Sequence, residues 1–278
     1  GQQRIGAVIT MQPLASEAAP DCGSSGLVVV SVVSHGHKHQ VQGLLNDLVR
    51  FSRGRISRVV LTLNQPEAAP QPPAAGWPFA LHIVRNIRPL GFGANHNRAL
   101  SGAGEPFVCV LNPDVRWDGC DPLEAMVQAA AQPGVGCSYP VQIDNVGCWQ
   151  DSARALPTPA ALFRRRVLGQ REARVDWVNA ACLVLPQPVW QRLQGFDEAY
   201  FMYCEDVDLC LRLRLAGLAL APAPAQVVHA GQRASHRRWL HLRWHVQSLL
   251  RLWRSPVYWQ ACQMLRAQDK SEGTIGRS

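Results

Sequence analysis

Four carboxylates, Asp197, Glu198, Glu205 and Asp206, fall within ten residues, among Phe196, Tyr200, Phe201 and Tyr203. Acids in aromatic surroundings are held against something rather than left in solvent. Downstream, Val227-Val228-His229-Ala230-Gly231 is a strand-like run that ends in an imidazole and a glycine. A carboxylate on a helix start and a histidine on a neighbouring strand end can converge on one cleft. The chemistry they share there is a base plus a metal ligand.

The acids need an element to position them. Val207, Cys210, Leu211, Leu215 and Leu218 recur at helical spacing, with Gly217 as the stop. Glu205, Asp206 and Asp208 then occupy the first turn, where negative charge complements the helix dipole, and Asp208 can pair with Arg212. Helix-start charge alone would account for the acidic pair. The Gly195-Phe196-Asp197 turn upstream and His229 downstream favour a site.

The first half of the chain predicts a scaffold. Residues 1–26 lack periodicity and read as a flexible tail. Leu27–Val33 is a continuous apolar run, as for a strand buried on both faces. A helix with Val41, Leu44, Leu45, Leu48 and Val49 on one face follows, then strands at Arg58–Asn64 and Leu81–Val84. This β-α-β opening argues for an α/β fold, in which ligands bind beyond the carboxyl ends of the strands. His35, Asn64 and Asn86 stand at such ends. The alternating His35, His37 and His39 suit a loop lining a nucleotide pocket better than a metal site without a carboxylate.

Gly91-Phe92-Gly93 and then Asn95 and Asn97 lead into another helix. Glycines let backbone amides approach a ligand, and a helix start favours anions; an ordinary helix capped by Asn95 is the alternative. The pattern matches neither a Walker loop nor GxGxxG. Phe107–Leu111 is a further buried strand, followed by Asn112-Pro113-Asp114, whose carboxylate can hold a hard cation through oxygen. Pro122–Ala131 reads as a helix, Val135–Ser138 and Trp177–Leu185 as strands, and 144–176 as irregular.

The 278 residues carry a net charge of +8, with 47% hydrophobic and 17% charged residues. Arginines gather at Arg164–Arg174 and between Arg233 and Arg254, which favours anionic partners. Nine cysteines show no CxxC pair and no disulfide framework, which favours a reducing, cytoplasmic setting. No secretory signal is recognisable, and no run approaches the roughly 20 apolar residues that span a bilayer.

In order, four segments resemble the rhamnosyltransferase-like branch of the family 2 glycosyltransferases. They are Val33-Ser34-His35, Asn86–Asn97 with Gly91-Phe92-Gly93, Leu111-Asn112-Pro113-Asp114, and Gly195-Phe196-Asp197 through Glu205-Asp206-Val207-Asp208 to His229. The resemblance implies a GT-A fold, with a Rossmann-like mixed sheet flanked by helices, over residues 27–232. It also implies a nucleoside-diphosphate sugar donor, Mg²⁺ or Mn²⁺, and inversion at the anomeric carbon. Asn112-Pro113-Asp114 stands where the family has Asp-x-Asp, so Asp114 becomes the main metal ligand and Asn112 a donor contact. His229 matches the late histidine, and Asp206, or else Glu205, the catalytic base. Ser34, His35, Asn64, Asn86, Gly93, Asn95 and Asn97 are the expected donor contacts.

Residues 233–278 read as a basic, Trp-rich helical annex. Its stripe of Leu242, Val246, Leu249, Leu250 and Trp253 suits an anionic membrane surface, the domain itself, or a second copy in a homodimer. The expected acceptor is a glycan or lipid-linked glycan of a bacterial surface polysaccharide. A sugar-nucleotide-binding assembly partner without transfer is the alternative. Nucleic acid is not expected as a partner, because aromatic-interleaved strands and a zinc framework are missing.

Overall fold

A computed structural model describes residues 27–158, 175–230 and 238–275. The expected tail at 1–26, the arginines 164–174, and Arg233 and Arg237 lie outside the described residues.

The apolar run opening the chain forms β1 (Val28–Ser34), flanked in parallel by β2 (Ile56–Leu63) and β4 (Phe107–Leu111), with β3 (Ala80–Arg85) parallel to β2. Beyond β4 the sheet turns mixed. β9 (Cys182–Pro186) is antiparallel to β4 and to β6 (Val135–Ile143), and β10 (Ala219–His229) runs parallel to β6. The short β5 (Val115–Trp117) closes the edge against β10, giving the order β3-β2-β1-β4-β9-β6-β10-β5. β1 and β4 are almost wholly buried because helices cover both faces.

On one face, α1 (Lys38–Phe51) buries Val41, Leu44, Leu45 and Leu48, beside α3 (Pro122–Ala130) with Leu123 and Met126. The other face carries α2 (Phe92–Leu100), α4 (Gln187–Leu193) and α5 (Glu205–Leu215). Burying each such Leu or Val contributes about 1.5–3 kcal/mol. α6 (Arg238–Arg254) and α7 (Pro256–Ile275) form the annex, and Leu252, Tyr258, Ala261 and Leu265 pack against Val207 and Leu211 of α5. The chain breaks between them at Ser255-Pro256, since proline cannot continue a helix.

Three sequence expectations change. The strand read over Trp177–Leu185 is two: β8 (Trp177–Val178), paired with the short β7 (Ala153–Arg154), and then β9. The break falls where Asn179 turns aside to exchange side-chain hydrogen bonds with Gln142. β10 starts eight residues before Val227; Pro222 and Pro224 disguise it, and its register shifts between Pro222 and Gln226. The N-cap of α2 is Gly91, not Asn95. By contrast, α5 stops as expected. Gly217 is left-handed at φ +77°, and the Leu218 amide donates to the Leu213 carbonyl at 3.0 Å.

Candidate active site

The acids of α5 are delivered by a loop that is gripped from two sides. Asn97 of α2 clamps Phe196: its Oδ1 accepts from the Phe196 amide and its Nδ2 donates to the Phe196 carbonyl, each at 2.8 Å. The Phe92 amide donates to the Phe201 carbonyl at 2.9 Å. Gly91 and Gly93 permit this approach. A Cβ on Gly91 would lie 2.7 Å from the Phe201 oxygen, and one on Gly93 2.6 Å from the Phe196 Cβ. From the annex, Ser248 Oγ donates to the Met202 carbonyl at 2.7 Å, and Tyr203 OH bonds His241 Nδ1 at 2.8 Å.

Between these grips, Tyr203 and Cys204 both adopt left-handed backbone, at φ 72° and 65°. Such positions cost about 1–3 kcal/mol each and persist when the surroundings over-determine them. The turn sets Glu205 and Asp206 at the first residues of α5. Asp208 takes no part, since Arg212 binds it at 2.7 Å and spends its other nitrogens on the Leu193 and Gly195 carbonyls.

Glu205 is 6% exposed, and its Oε2 has no hydrogen-bond partner. Burial, and then the neighbouring Asp206 charge, push its carboxyl well above the usual range. Burial also raises Asp206, but amides of Val207 and Ala180 and the charge of Arg154 hold it lower than Glu205. The pair titrates as a unit, and burial makes its full ionisation costly.

Ala180 is the bridge to the second half of the site. Its neighbour Ala181 accepts from the Asn112 amide at 2.8 Å, which fixes the Asn112-Pro113-Asp114 turn after β4. The break between β8 and β9 thus touches the Asp206 carboxylate with one residue and the Asp114 turn with the next. Asp114 Oδ2 sits 3.4 Å from His229 Nε2, and the Ala230 amide donates to the Asp114 carbonyl at 3.1 Å. Burial alone would raise the Asp114 carboxyl. The hydrogen bond and charge of His229, with help from His37, bring it below the usual range. Gln150 Nε2 holds the His229 carbonyl at 2.9 Å.

An oxygen and an imidazole nitrogen 3.4 Å apart approximate adjacent corners of an octahedron, about 3 Å for ligands at roughly 2.1 Å. His229 Nδ1 is buried without a partner. The pair fits a hard divalent cation with other positions left to phosphate or water. Among the described residues, no group of three or more His, Cys, Asp or Glu side chains could hold a metal ion on its own.

The remaining predicted residues divide. Ser34, His35, Asn64 and Asn86 gather beyond the ends of β1, β2 and β3. Ser34 Oγ accepts from the His37 amide at 3.1 Å, and Asn64 Nδ2 meets His35 Nδ1 at 3.2 Å. Asn64 also pairs with the Leu90 amide and carbonyl at 2.9 and 3.0 Å, and Asn86 donates to Asn64 and Asn95. Gly93, Asn95 and Asn97 make their contacts within the protein. Gly93 packs on Phe196, Asn97 clamps it, and buried Asn95 donates to the Leu90 and Gly91 carbonyls. Their polar groups are spent on the loop that carries the acids. Arg154, Ala180 and Gln150 were missed, because their contacts span long sequence separations and no local spacing marks them.

No protein-family model matches the chain. The N-acetylglucosaminyl-diphospho-decaprenol L-rhamnosyltransferase of Mycobacterium tuberculosis (strain ATCC 25618 / H37Rv) is 31% identical over 210 residues, 61% of this chain and 68% of that protein. Rhamnosyltransferase WbbL of Escherichia coli (strain K12) is 27% identical over 248 residues, covering 81% and 92%. Among solved structures, a mannosyltransferase of Pyrobaculum calidifontis in complex with GDP-Man and Mn²⁺ superposes with TM-score 0.55 at 17% identity, over 90% of this chain and 78% of that one. That likeness shows a shared GT-A fold.

Proposed function

This chain belongs to the rhamnosyltransferase-like branch of the family 2 glycosyltransferases, and from that premise we propose that it moves rhamnose, with inversion, from a nucleoside diphosphate to a lipid-diphosphate-linked glycan. The setting is assembly of a bacterial surface polysaccharide. The donor class is supported by the GDP-Man bound to the mannosyltransferase of like fold. The acceptor class is supported by the N-acetylglucosaminyl-diphospho-decaprenol in the name of the mycobacterial relative.

One observation carries the reading: the Ala180-Ala181 segment ties the Asp206 carboxylate to the turn bearing Asp114, which faces His229. Asp206 takes the proton of the acceptor hydroxyl as its oxygen attacks the anomeric carbon. The bond from that carbon to the diphosphate breaks on the opposite side, and its electron pair leaves with the diphosphate. Glu205, raised by burial and by the Asp206 charge, disfavours a second negative charge beside the base. Asp114 and His229 would hold Mg²⁺ or Mn²⁺, which offsets charge on the departing diphosphate. Ser34, His35, Asn64, Asn86 and Asn112 line the donor end.

The annex supports peripheral contact with an anionic membrane. α6 exposes Trp239, Leu242 and Val246 next to Arg243. Among the described residues no helix is long and apolar enough to cross a membrane. The test of function is transfer from dTDP-rhamnose with Mn²⁺ to polyprenyl-diphospho-N-acetylglucosamine, with product stereochemistry read by NMR. Full transfer by Asp206→Asn, or retention of configuration, would sink the mechanism.

A further inference from the structure

A groove of about 550 Å³ lies between the Asp197–Phe201 loop and the end of α6, lined by Tyr200, Gln247, Leu250, Arg251 and Arg254. A second hollow of about 300 Å³ adjoins it, sharing Gln247 and Arg251 and ending at Phe201 and Trp244. Those two rings are 5.1 Å apart, and Phe201 is 41% exposed. The chain that forms this end runs directly into Glu205 and Asp206.

Three observations point to an anionic ligand. Arg251 and Arg254 stand one helical turn apart in the groove, and neither has an ion-pair partner among the described residues. Asp197, the one acid lining it, turns its Oδ1 to the Ala199 amide at 2.9 Å, so two cations outweigh one carboxylate. Tyr200 is 1% exposed, yet its hydroxyl at the groove wall has no well-formed hydrogen bond; Ser255 is near it, and the Arg251 guanidinium lies 5.9 Å from its ring centre. A buried orphan hydroxyl is costly unless something bonds it.

We propose that this groove is the acceptor track, with the acceptor's diphosphate on Arg251, Arg254 and the Tyr200 hydroxyl. The attached sugar lies on the Phe201–Trp244 platform, pointed along the loop toward Asp206. Leu250 and Val246, next on the exposed side of α6, receive the first isoprene units. This rests on the lipid-linked acceptor reading and adds where that acceptor binds.

The test uses farnesyl diphosphate as probe and farnesol as control, followed by tryptophan fluorescence on the full chain. Arg251→Gln/Arg254→Gln is expected to weaken farnesyl diphosphate about tenfold or more. Farnesol binding and the melting temperature should hold. Tyr200→Phe should weaken the diphosphate roughly 3- to 10-fold. Equal affinity in the double variant overturns the proposal. So does a loss confined to anionic phosphatidylglycerol vesicles, which would make the arginines a general membrane contact. The thermal shift given by dTDP-rhamnose with Mn²⁺ should be the same in wild type and variant. That readout separates failure of the groove from failure of the transfer reading.

Discussion

Two pairs of side chains, one on strand ends and one on a helix start, stand under opposite electrostatics. Asp114 and His229 lie on strand ends, one acid beside one imidazole, and the acid is held below its usual range. Glu205 and Asp206 lie on a helix start, acid beside acid, the first buried and the second half-buried, and both are pushed up. The same residue type is therefore kept charged in one place and ready to accept a proton in the other. Environments that drive carboxyl groups apart are how one site separates charge binding from base chemistry. The comparison teaches that role follows from the neighbours supplied by the fold, not from the acid itself.

The largest way to break the comparison is to remove the base. Asp206→Asn should lower kcat by about 10²–10⁴ with little change in donor affinity. Glu205→Gln, which removes the neighbouring carboxyl and keeps its shape, should retain far more activity; equal losses would mean that the base is not Asp206 alone. Next, Asp114→Ala should abolish the Mn²⁺-dependent part of donor binding, measured by calorimetry, while leaving metal-free nucleotide binding in place.

The two pairs should also answer pH in opposite senses. A carboxyl raised in the folded state stabilises at low pH, and that stability is lost as pH rises through its folded value. Glu205→Gln should therefore raise the melting temperature above the ordinary glutamate range, with the gain vanishing in acid. Asp114 is depressed, so its contribution is present above the ordinary aspartate range and lost as pH falls. Asp114→Asn should cost stability at neutral pH and little in acid. Parallel curves for the two variants would refute the contrast. In activity, turnover should rise with pH through a midpoint above the usual aspartate range, as Asp206 ionises.

The smallest expected effect sharpens the scaffold role of α2. Asn97→Ala removes both clamps on Phe196, which should cost about 1–3 kcal/mol in denaturant unfolding. Loss of turnover beyond that cost, with donor affinity intact, would mean that the clamp also sets the position of Asp206.

Local pattern made the parallel strands, α1 and the capped run of α5 legible, because apolar periodicity and the Gly217 stop act over a few residues. The same logic fell short at Gly93, Asn95 and Asn97, whose contacts inside the protein it does not show. Glycines and amides before a helix suit a phosphate and a backbone clamp equally, and only the partner 99 residues away tells which. It failed again at Trp177–Leu185, where an apolar run concealed the break that joins the two halves of the site.

By itself the sequence determined which groups are available: the acids at a helix start, the carboxylate after a buried strand, the histidine at a strand end, and the basic, aromatic annex. These are local facts of spacing and chemistry. The tertiary structure alone decided that Asp114 meets His229, that Ala180 reaches Asp206, and that α6 lies along the loop bearing the acids. Contacts between segments distant in sequence are set by sheet order and by burial of a shared core. Charge state follows from those contacts, since desolvation and neighbouring charge exist only once the chain has folded.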